Sequence, residues 1–352
     1  TKGSSRCKEG FIFGATIPNP DVLESQFNNY DGQGASSGHW VAWYTTHKIL
    51  AGLVDLYKYA GNETALKTAV DLGIWTYNRA SQWDAATKQR VLNVEYGGMN
   101  DALYELYACV ENNREYSQYS SKILKAAEQF DETSLFERVK SGGSNILNGK
   151  HANTTIPKFV GAIKRYLVLG EDERVYLEYA EKFWDMVVSH HTYLTGGNSE
   201  NEHFGADDVL YGERTNVNCE TCNTYNMLKL TRDLYRATGD KKYADYYENT
   251  LINAIMSSQN PETGMSMYFQ PMATGYQKVF GKPTTDFWCC TGSGMENFIK
   301  LNDYSLRVQS LSALRVLYQK YASFYSEEDL RFLKEMVRRT YPPEKYRDWL
   351  KD

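Results

Sequence analysis

The chain has 352 residues, enough for one large domain or two ordinary ones with a substantial core. Its 39 Lys and Arg against 44 Asp and Glu leave a formal charge of -5 and no long basic block, which argues against a nucleic-acid or membrane-surface partner. No apolar stretch approaches the roughly 20 residues of a membrane-spanning helix, and Thr1-Lys2-Gly3-Ser4-Ser5 is no apolar signal segment.

From Gly10 to about Gly38 the chain is rich in Gly, Asn, Pro and Ser, has no sustained period, and reads as loop. Apolar residues at helical spacing (Ile49, Leu50, Leu53, Leu56, Tyr57) then predict a first helix from Trp40 to Tyr59, stopped by Gly61-Asn62. A second helix is predicted from about Glu63 to Trp83. Further helical runs follow near Met99–Val110, Tyr116–Phe130, Ile156–Leu169, Arg174–Ser189, Cys222–Ala237 and Tyr243–Ser258.

Four of these helices end alike and lead straight into another. The endings are Asp55-Leu56-Tyr57, Glu105-Leu106-Tyr107, Arg165-Tyr166-Leu167 and Asp233-Leu234-Tyr235. Their spacing of roughly 50 to 70 residues is one helical hairpin plus a variable loop. Hairpins that cannot bury their apolar faces alone must stack, as an open solenoid or a closed ring. Long polar, Gly-rich connections (94–100, 142–155, 195–222 and 265–294) fall on one side of the hairpins and favour the ring, an all-α α/α toroid with these loops over its centre. Within the last of them, Met265–Val279 alternates like a small β-hairpin around Ala273-Thr274-Gly275. Leu306–Asp352 reads as a tail of short amphipathic helices broken at Pro342-Pro343. The chain therefore divides into a toroid over 1–305 and a helical tail over 306–352.

Two of the six cysteines, Cys7 and Cys109, stand alone, and Cys109 in an apolar helical run predicts an inert buried thiol. The other four fall in Asn218-Cys219-Glu220-Thr221-Cys222 and Trp288-Cys289-Cys290, where neighbouring cysteines read as reduced ligands rather than as a disulfide framework. Glu220, Cys222, Cys289 and Cys290 make a four-ligand set of three sulfurs and one oxygen, suited to Zn2+. A structural zinc clip between two loops is the plain reading. Against it, Trp288 and the Thr291-Gly292-Ser293-Gly294 turn leave room for a ligand beside Cys289, and the helices starting after both loops favour thiolates and carboxylates. Thr195–Phe204 offers a general acid in Glu202, whose pKa partial burial against His203-Phe204 would raise. His151 lies in another converging loop, and His47 sits on the first helix near Trp43. Reduced thiols point to the cytoplasm, while an N-terminus without Met reads as trimmed and leaves export open.

Several stretches resemble the β-L-arabinofuranosidase group of glycoside hydrolases, families 127 and 146. They are Trp43–Leu53, Tyr96-Gly97-Gly98-Met99-Asn100, Asn148–Thr154, Thr195–Phe204, Cys219–Asn223 and Trp288–Gly294, in the family's order between about Gly10 and Asp303. The resemblance implies an (α/α)6 barrel with zinc held by Glu220, Cys222, Cys289 and Cys290. It implies Cys289 as nucleophile, Glu202 as general acid/base, and His47 and His151 on the sugar, with Trp288 a further substrate-binding candidate. The implied reaction is retaining hydrolysis of a terminal β-L-arabinofuranoside on an arabinose-containing glycan or glycopeptide. The chain departs from the family in showing four hairpins where six close the ring, and in carrying the helical tail where the family continues into a β-sandwich. The alternative is a non-catalytic glycan-binding toroid with a structural zinc clip. Lyases or epimerases on a similar toroid would need His or Tyr bases and no paired cysteines.

Overall fold

The computed structural model describes residues 9–14, 26–28, 41–299, 326–340, 346–347 and 350. Its helices are α1 (Ala42–Ala60), α2 (Glu63–Ala80), α3 (Ala85–Leu92), α4 (Met99–Val110), α5 (Ser120–Gln129) and α6 (Thr133–Ser141), then α7 (Ala152–Leu169), α8 (Arg174–His190), α9 (Thr221–Thr238), α10 (Lys241–Thr250), α11 (Cys289–Ile299) and α12 (Glu327–Thr340).

The hairpin turns follow from local chemistry. Gly61 adopts a left-handed φ of 64° and donates its N–H to Tyr57 O at 2.9 Å, closing α1. Asn62 then starts α2 by accepting the Ala65 N–H on Oδ1 at 2.9 Å. Gly239 (φ 68°) and Asp240, which accepts the Lys242 N–H, do the same between α9 and α10.

Helices α1, α4, α7, α9 and α11 pack side by side in that order, and α2, α5, α8 and α10 each lie behind the inner helix that precedes them. This is the all-α toroid, with four hairpins and a fifth inner helix among the described residues. Two apolar cores fill the space between the layers. One joins α1, α2, α4 and α5 around Trp43 and Trp75, whose rings lie 5.7 Å apart. The other joins α6 to α10 around Phe159 and Phe183, stacked at 3.9 Å.

Ion pairs line the inner faces. Lys229 of α9 reaches Asp101 of α4 at 2.8 Å, Lys164 of α7 lies 2.9 Å from Asp233 of α9, and Lys48 of α1 pairs with Glu296 of α11 at 3.0 Å. Burial alone would raise the Asp101 carboxyl, but Lys229 and Lys164 hold it at about 2. The last pair ties the first inner helix to the fifth.

Four details differ from the sequence expectations. Two short helices, α3 and α6, escaped the periodicity reading because eight or nine residues show too little of a 3.6-residue repeat. The run through Tyr243–Ser258 leaves the α geometry after Thr250, as a π turn (Leu251–Ile255) and a 3-10 turn. The Met265–Val279 hairpin reduces to two isolated antiparallel bridges, Ser266 to Gln259 and Met267 to Phe280, with no strand among the described residues. Thr291-Gly292-Ser293-Gly294 is not a turn but the continuation of α11, which begins at Cys289 itself. Small residues are needed there for close approach: a Cβ on Gly294 would lie 2.5 Å from Ser266 Oγ. In the tail, α12 is helical as expected, whereas the 305/306 boundary and the Pro342-Pro343 break lie outside the described residues.

Candidate active site

The centre sits where inner helices begin. Glu220 is the residue that opens α9, Cys222 lies in its first turn, and Cys289 and Cys290 open α11. The side chains meet because α9 and α11 pack together. One ligand atom from each of the four lies within 4.8 Å of all the others. Cys222 Sγ is 3.2 Å from Cys290 Sγ, and Glu220 Oε1 is 3.8 Å from Cys289 Sγ and 3.6 Å from Cys290 Sγ. A tetrahedral ion with sulfur ligands at about 2.3 Å needs ligand atoms about 3.8 Å apart, so the set fits a borderline-soft divalent cation. Burial supports this. Glu220, Cys222 and Cys290 are 1–2% exposed, and Glu220 Oε2 is sealed from solvent without a hydrogen-bond donor among the described residues.

The three thiols are not equivalent. Hydrogen bonds from Cys222 and Cys290 draw the Cys289 thiol down to about 2, against the opposing effect of burial. Cys222 is pushed up, chiefly by its bond to Cys289, and Cys290 by burial. Of the three thiols Cys289 is therefore the one most favoured as the thiolate, and it is the exposed member of the set. Ser293, one helical turn on from the sulfurs, donates its hydroxyl to Cys222 Sγ at 3.1 Å.

The loop that delivers Glu220 is held by Asn218. Fully buried, its Nδ2 donates to Glu213 O at 2.9 Å, Tyr193 OH at 3.1 Å and Ser199 O at 3.3 Å, while its Oδ1 accepts the Thr215 N–H at 2.6 Å. Ser199, Asn201, Glu202 and Cys219 all take positive φ, at 77°, 46°, 69° and 51°. Such backbone costs on the order of 1–3 kcal/mol per residue and gathers at functional sites. Gly197 permits the fold-back, since a Cβ there would sit 2.7 Å from Cys219 Sγ.

Glu202 is fixed by three contacts. The Ala152 N–H donates to Glu202 O at 2.8 Å, joining its loop to the start of α7. Its carboxylate lies 3.4 Å from His151 Nε2 and accepts a short hydrogen bond from the Tyr268 hydroxyl. Tyr268 OH is also 3.7 Å from Cys289 Sγ, so one phenol spans the carboxylate and that sulfur. The expectation that an aromatic neighbour raises the Glu202 pKa is overturned. The hydrogen bond from His151 outweighs burial and, with that from Tyr268, holds the carboxyl below its ordinary value. Burial lowers the His151 pKa, but Glu202 and the charge of Glu95 more than reverse it, so the ring sits above its ordinary value.

The predicted residues are therefore brought together, with one exception. Cys289, Glu202, Glu220, Cys222, Cys290 and His151 share one centre. Trp288, 54% exposed, stands at its edge with its ring 5.8 Å from that of Tyr268. His47 instead is buried against the Gly97-Gly98 backbone, where a Cβ on Gly97 would come 2.4 Å from its Nδ1. Burial drives its pKa down to about 3, so the ring is neutral.

Sequence reasoning missed three groups. Tyr268 lay in the segment read as a strand pair. Tyr44 faces the charges of Cys222, Glu95 and Cys289 from α1, and its phenol is pushed far up, burial first. Glu95, in the loop before α4, is raised to about 7 by burial, which the charges of Cys289 and Glu202 reinforce against His151. Its placement inside one of the long polar loops was the available signal.

A ring of helical hairpins whose inner N-termini carry a buried thiol–carboxylate set defines a toroid of the glycoside-hydrolase type. The chain belongs to the β-L-arabinofuranosidase GH127 catalytic-domain family, whose model matches residues 6–303. Among solved structures it is similar to one described as a glycoside hydrolase, with a TM-score of 0.58 and 14% identity over 81% of this chain and 51% of that one. It is also similar to a GH127 β-L-arabinofuranosidase from Geobacillus stearothermophilus T6, with a TM-score of 0.50 and 16% identity over 77% of this chain and 46% of that one. At these identities the likeness establishes the fold. The chain spans about half the length of these two structures. No curated protein matches it by sequence.

Proposed function

We propose that the chain is the catalytic core of a retaining glycoside hydrolase that releases terminal L-arabinofuranose from β-L-arabinofuranosides, with Cys289 as nucleophile and Glu202 as acid/base. The observation that carries this reading is the Tyr268 hydroxyl, hydrogen-bonded to Glu202 and 3.7 Å from Cys289 Sγ. An ordinary hydrogen bond added to that distance puts carboxylate and sulfur at most roughly 6.5 Å apart. Retaining enzymes need about 5–5.5 Å between nucleophile and proton donor. A module that only binds glycans has no use for that pairing.

Glu220, Cys222, Cys289 and Cys290 would hold zinc, which when bound keeps the thiols deprotonated and the two loops in register. The remaining chemistry belongs to the side chains. The Cys289 thiolate attacks the anomeric carbon as the glycosidic bond breaks, and Glu202 delivers a proton to the departing oxygen. Its resting carboxylate acquires that proton from His151, whose protonated form is favoured by its pairing with Glu202. Glu202 then takes a proton from water as the water displaces Cys289 from the sugar. The flat face of Trp288 at the rim suits stacking on the ring or its aglycone.

The test is zinc content together with hydrolysis of p-nitrophenyl β-L-arabinofuranoside by the full chain, Cys289→Ser and Glu202→Gln. The reading requires about one zinc per chain, turnover in the parent, and loss of turnover in both variants with metal kept in Glu202→Gln. Bound zinc without turnover in the parent would reduce the centre to a structural clip.

A further inference from the structure

We propose that Glu95 is the group that recognises a hydroxyl of the glycone. The proposal rests on the glycosidase reading and names a residue outside the nucleophile, acid/base and ligand set. Glu95 lies in the loop between α3 and α4, and that loop is rigidly placed by the packing of Gly97 and Gly98 against buried His47. Asn153, in the first turn of α7, donates from Nδ2 to Glu95 Oε1 at 3.2 Å and is itself held at Oδ1 by Asn226 Nδ2 at 2.8 Å. One carboxylate oxygen is thereby fixed. The other accepts no hydrogen bond from any described residue and is not sealed from solvent, so it is free to accept from a ligand.

Asn153 lies two residues after His151, whose Nε2 is 3.4 Å from Glu202, so the hydrogen bond from Asn153 brings Glu95 to the acid/base side of the centre, where the charges of His151, Cys289 and Glu202 act on it. An additional carboxylate near Cys289 and Glu202 is electrostatically unfavourable in the free protein. A fixed acceptor at that position becomes favourable when a neutral hydroxyl donates to it. A furanose ring presents such hydroxyls on the carbons flanking the anomeric centre. His151 bonds Glu202 and leaves the acceptor role to Glu95.

Glu95→Gln separates recognition from architecture. The amide oxygen can still accept from Asn153, while the free position changes from acceptor to donor. The experiment compares p-nitrophenyl β-L-arabinofuranoside with its 2-deoxy, 3-deoxy and 5-deoxy analogues in the parent chain and in Glu95→Gln. In parallel, tryptophan fluorescence measures binding of methyl β-L-arabinofuranoside and its deoxy analogues. The parent should lose roughly tenfold or more in kcat/KM on removal of one particular hydroxyl. In Glu95→Gln that same penalty should collapse to within about twofold, with the penalties at the other hydroxyls and the zinc content unchanged. A uniform loss with every penalty preserved would make Glu95 a structural residue and overturn the proposal. If the parent binds the methyl glycoside but does not turn over, the glycosidase reading fails and the binding penalties alone decide Glu95. If the parent binds no furanoside, the proposal fails as well.

Discussion

Asp233 offers a direct measure of how much the charged interior holds the inner helices in place. Its side chain is fully buried on α9, with Lys164 Nζ at 2.9 Å and Arg232 Nε at 3.2 Å. The Lys164 contact is a charge pair off the hydrogen-bond direction, whereas Arg232 donates to Oδ1 in good geometry. Burial alone would raise the Asp233 carboxyl, yet Lys164 and Arg232 hold it well below the usual range. Asp233→Asn removes the charge and leaves Lys164 buried with Glu105 as its other carboxylate. Removing one partner of a buried pair costs roughly 3–5 kcal/mol, and the remaining carboxylate sets the expectation at the lower end, about 3 kcal/mol. For a chain of this length the unfolding entropy is on the order of 0.7 kcal/mol/K, so Tm should fall by roughly 4 °C. Because the folded pKa is depressed, the stabilisation is complete above the unfolded value of about 3.9 and is lost as pH falls toward the folded value. The penalty measured by calorimetry should therefore be full at pH 7 and shrink below about pH 4. The double variant Lys164→Met/Asp233→Leu should cost much less than the sum of the two single changes. A penalty under about 0.5 kcal/mol, or strict additivity, would refute the assignment of the pair as a coupled interior contact.

Three further outcomes follow from the geometry. Gly161→Ala would put a Cβ 2.0 Å from Asn100 Cγ, displacing an amide that donates to Asp131 Oδ1 at 3.1 Å and Lys158 O at 3.2 Å; the urea midpoint should show a loss of about 2 kcal/mol or more, and an unchanged midpoint would disprove the close α4–α7 approach. Treating the metal-loaded chain with dipicolinate should lower stability by about 2.7 kcal/mol relative to zinc at a hundredfold excess over its Kd, reversibly on re-addition; absence of any thermal shift would mean that the four ligands hold no ion. His151→Ala removes both the hydrogen bond that holds Glu202 low and the source of its proton, so the alkaline limb of the kcat/KM profile, which reports the group that must be protonated, should move to lower pH. In the parent, the raised His151 pKa makes that contact stabilising below the unfolded value of about 6.5, with the contribution lost as pH rises through the folded value; a pH profile identical in parent and variant would break the link.

The hairpins and the thiol–carboxylate cluster were legible because each leaves a local signature. Apolar residues at helical spacing before Gly61 and Gly239 mark both the helix and its stop, and paired cysteines ahead of helices mark donors. Short helices such as α6 were not legible, because their formation depends on the packing of Phe136 against Phe159 rather than on a long period. The charge state of Glu202 was illegible for a related reason. Sequence neighbours His203 and Phe204 suggested an apolar setting, but the deciding partners, His151 and Tyr268, lie 51 and 66 residues away in the chain. The helical character of Thr291–Gly294 was masked by two glycines, of which Gly294 serves close approach to Ser266 rather than a turn.

The two faces of the toroid differ in how much chain they carry. On one, Gly61-Asn62 joins α1 to α2 and Gly239-Asp240 joins α9 to α10, each link only two residues long. On the other, 30 residues separate α8 from α9 (residues 191–220), and these supply Glu202 and Glu220. Insertions or exchanges on the second face would alter what the cleft admits without disturbing the apolar cores, since loop length adds closure entropy only slowly. Graftable specificity thus resides on one side of the ring and foldability on the other, so loop libraries on the second face that keep Glu202, Glu220 and Tyr268 fixed are the economical place to search for altered sugar or aglycone preference.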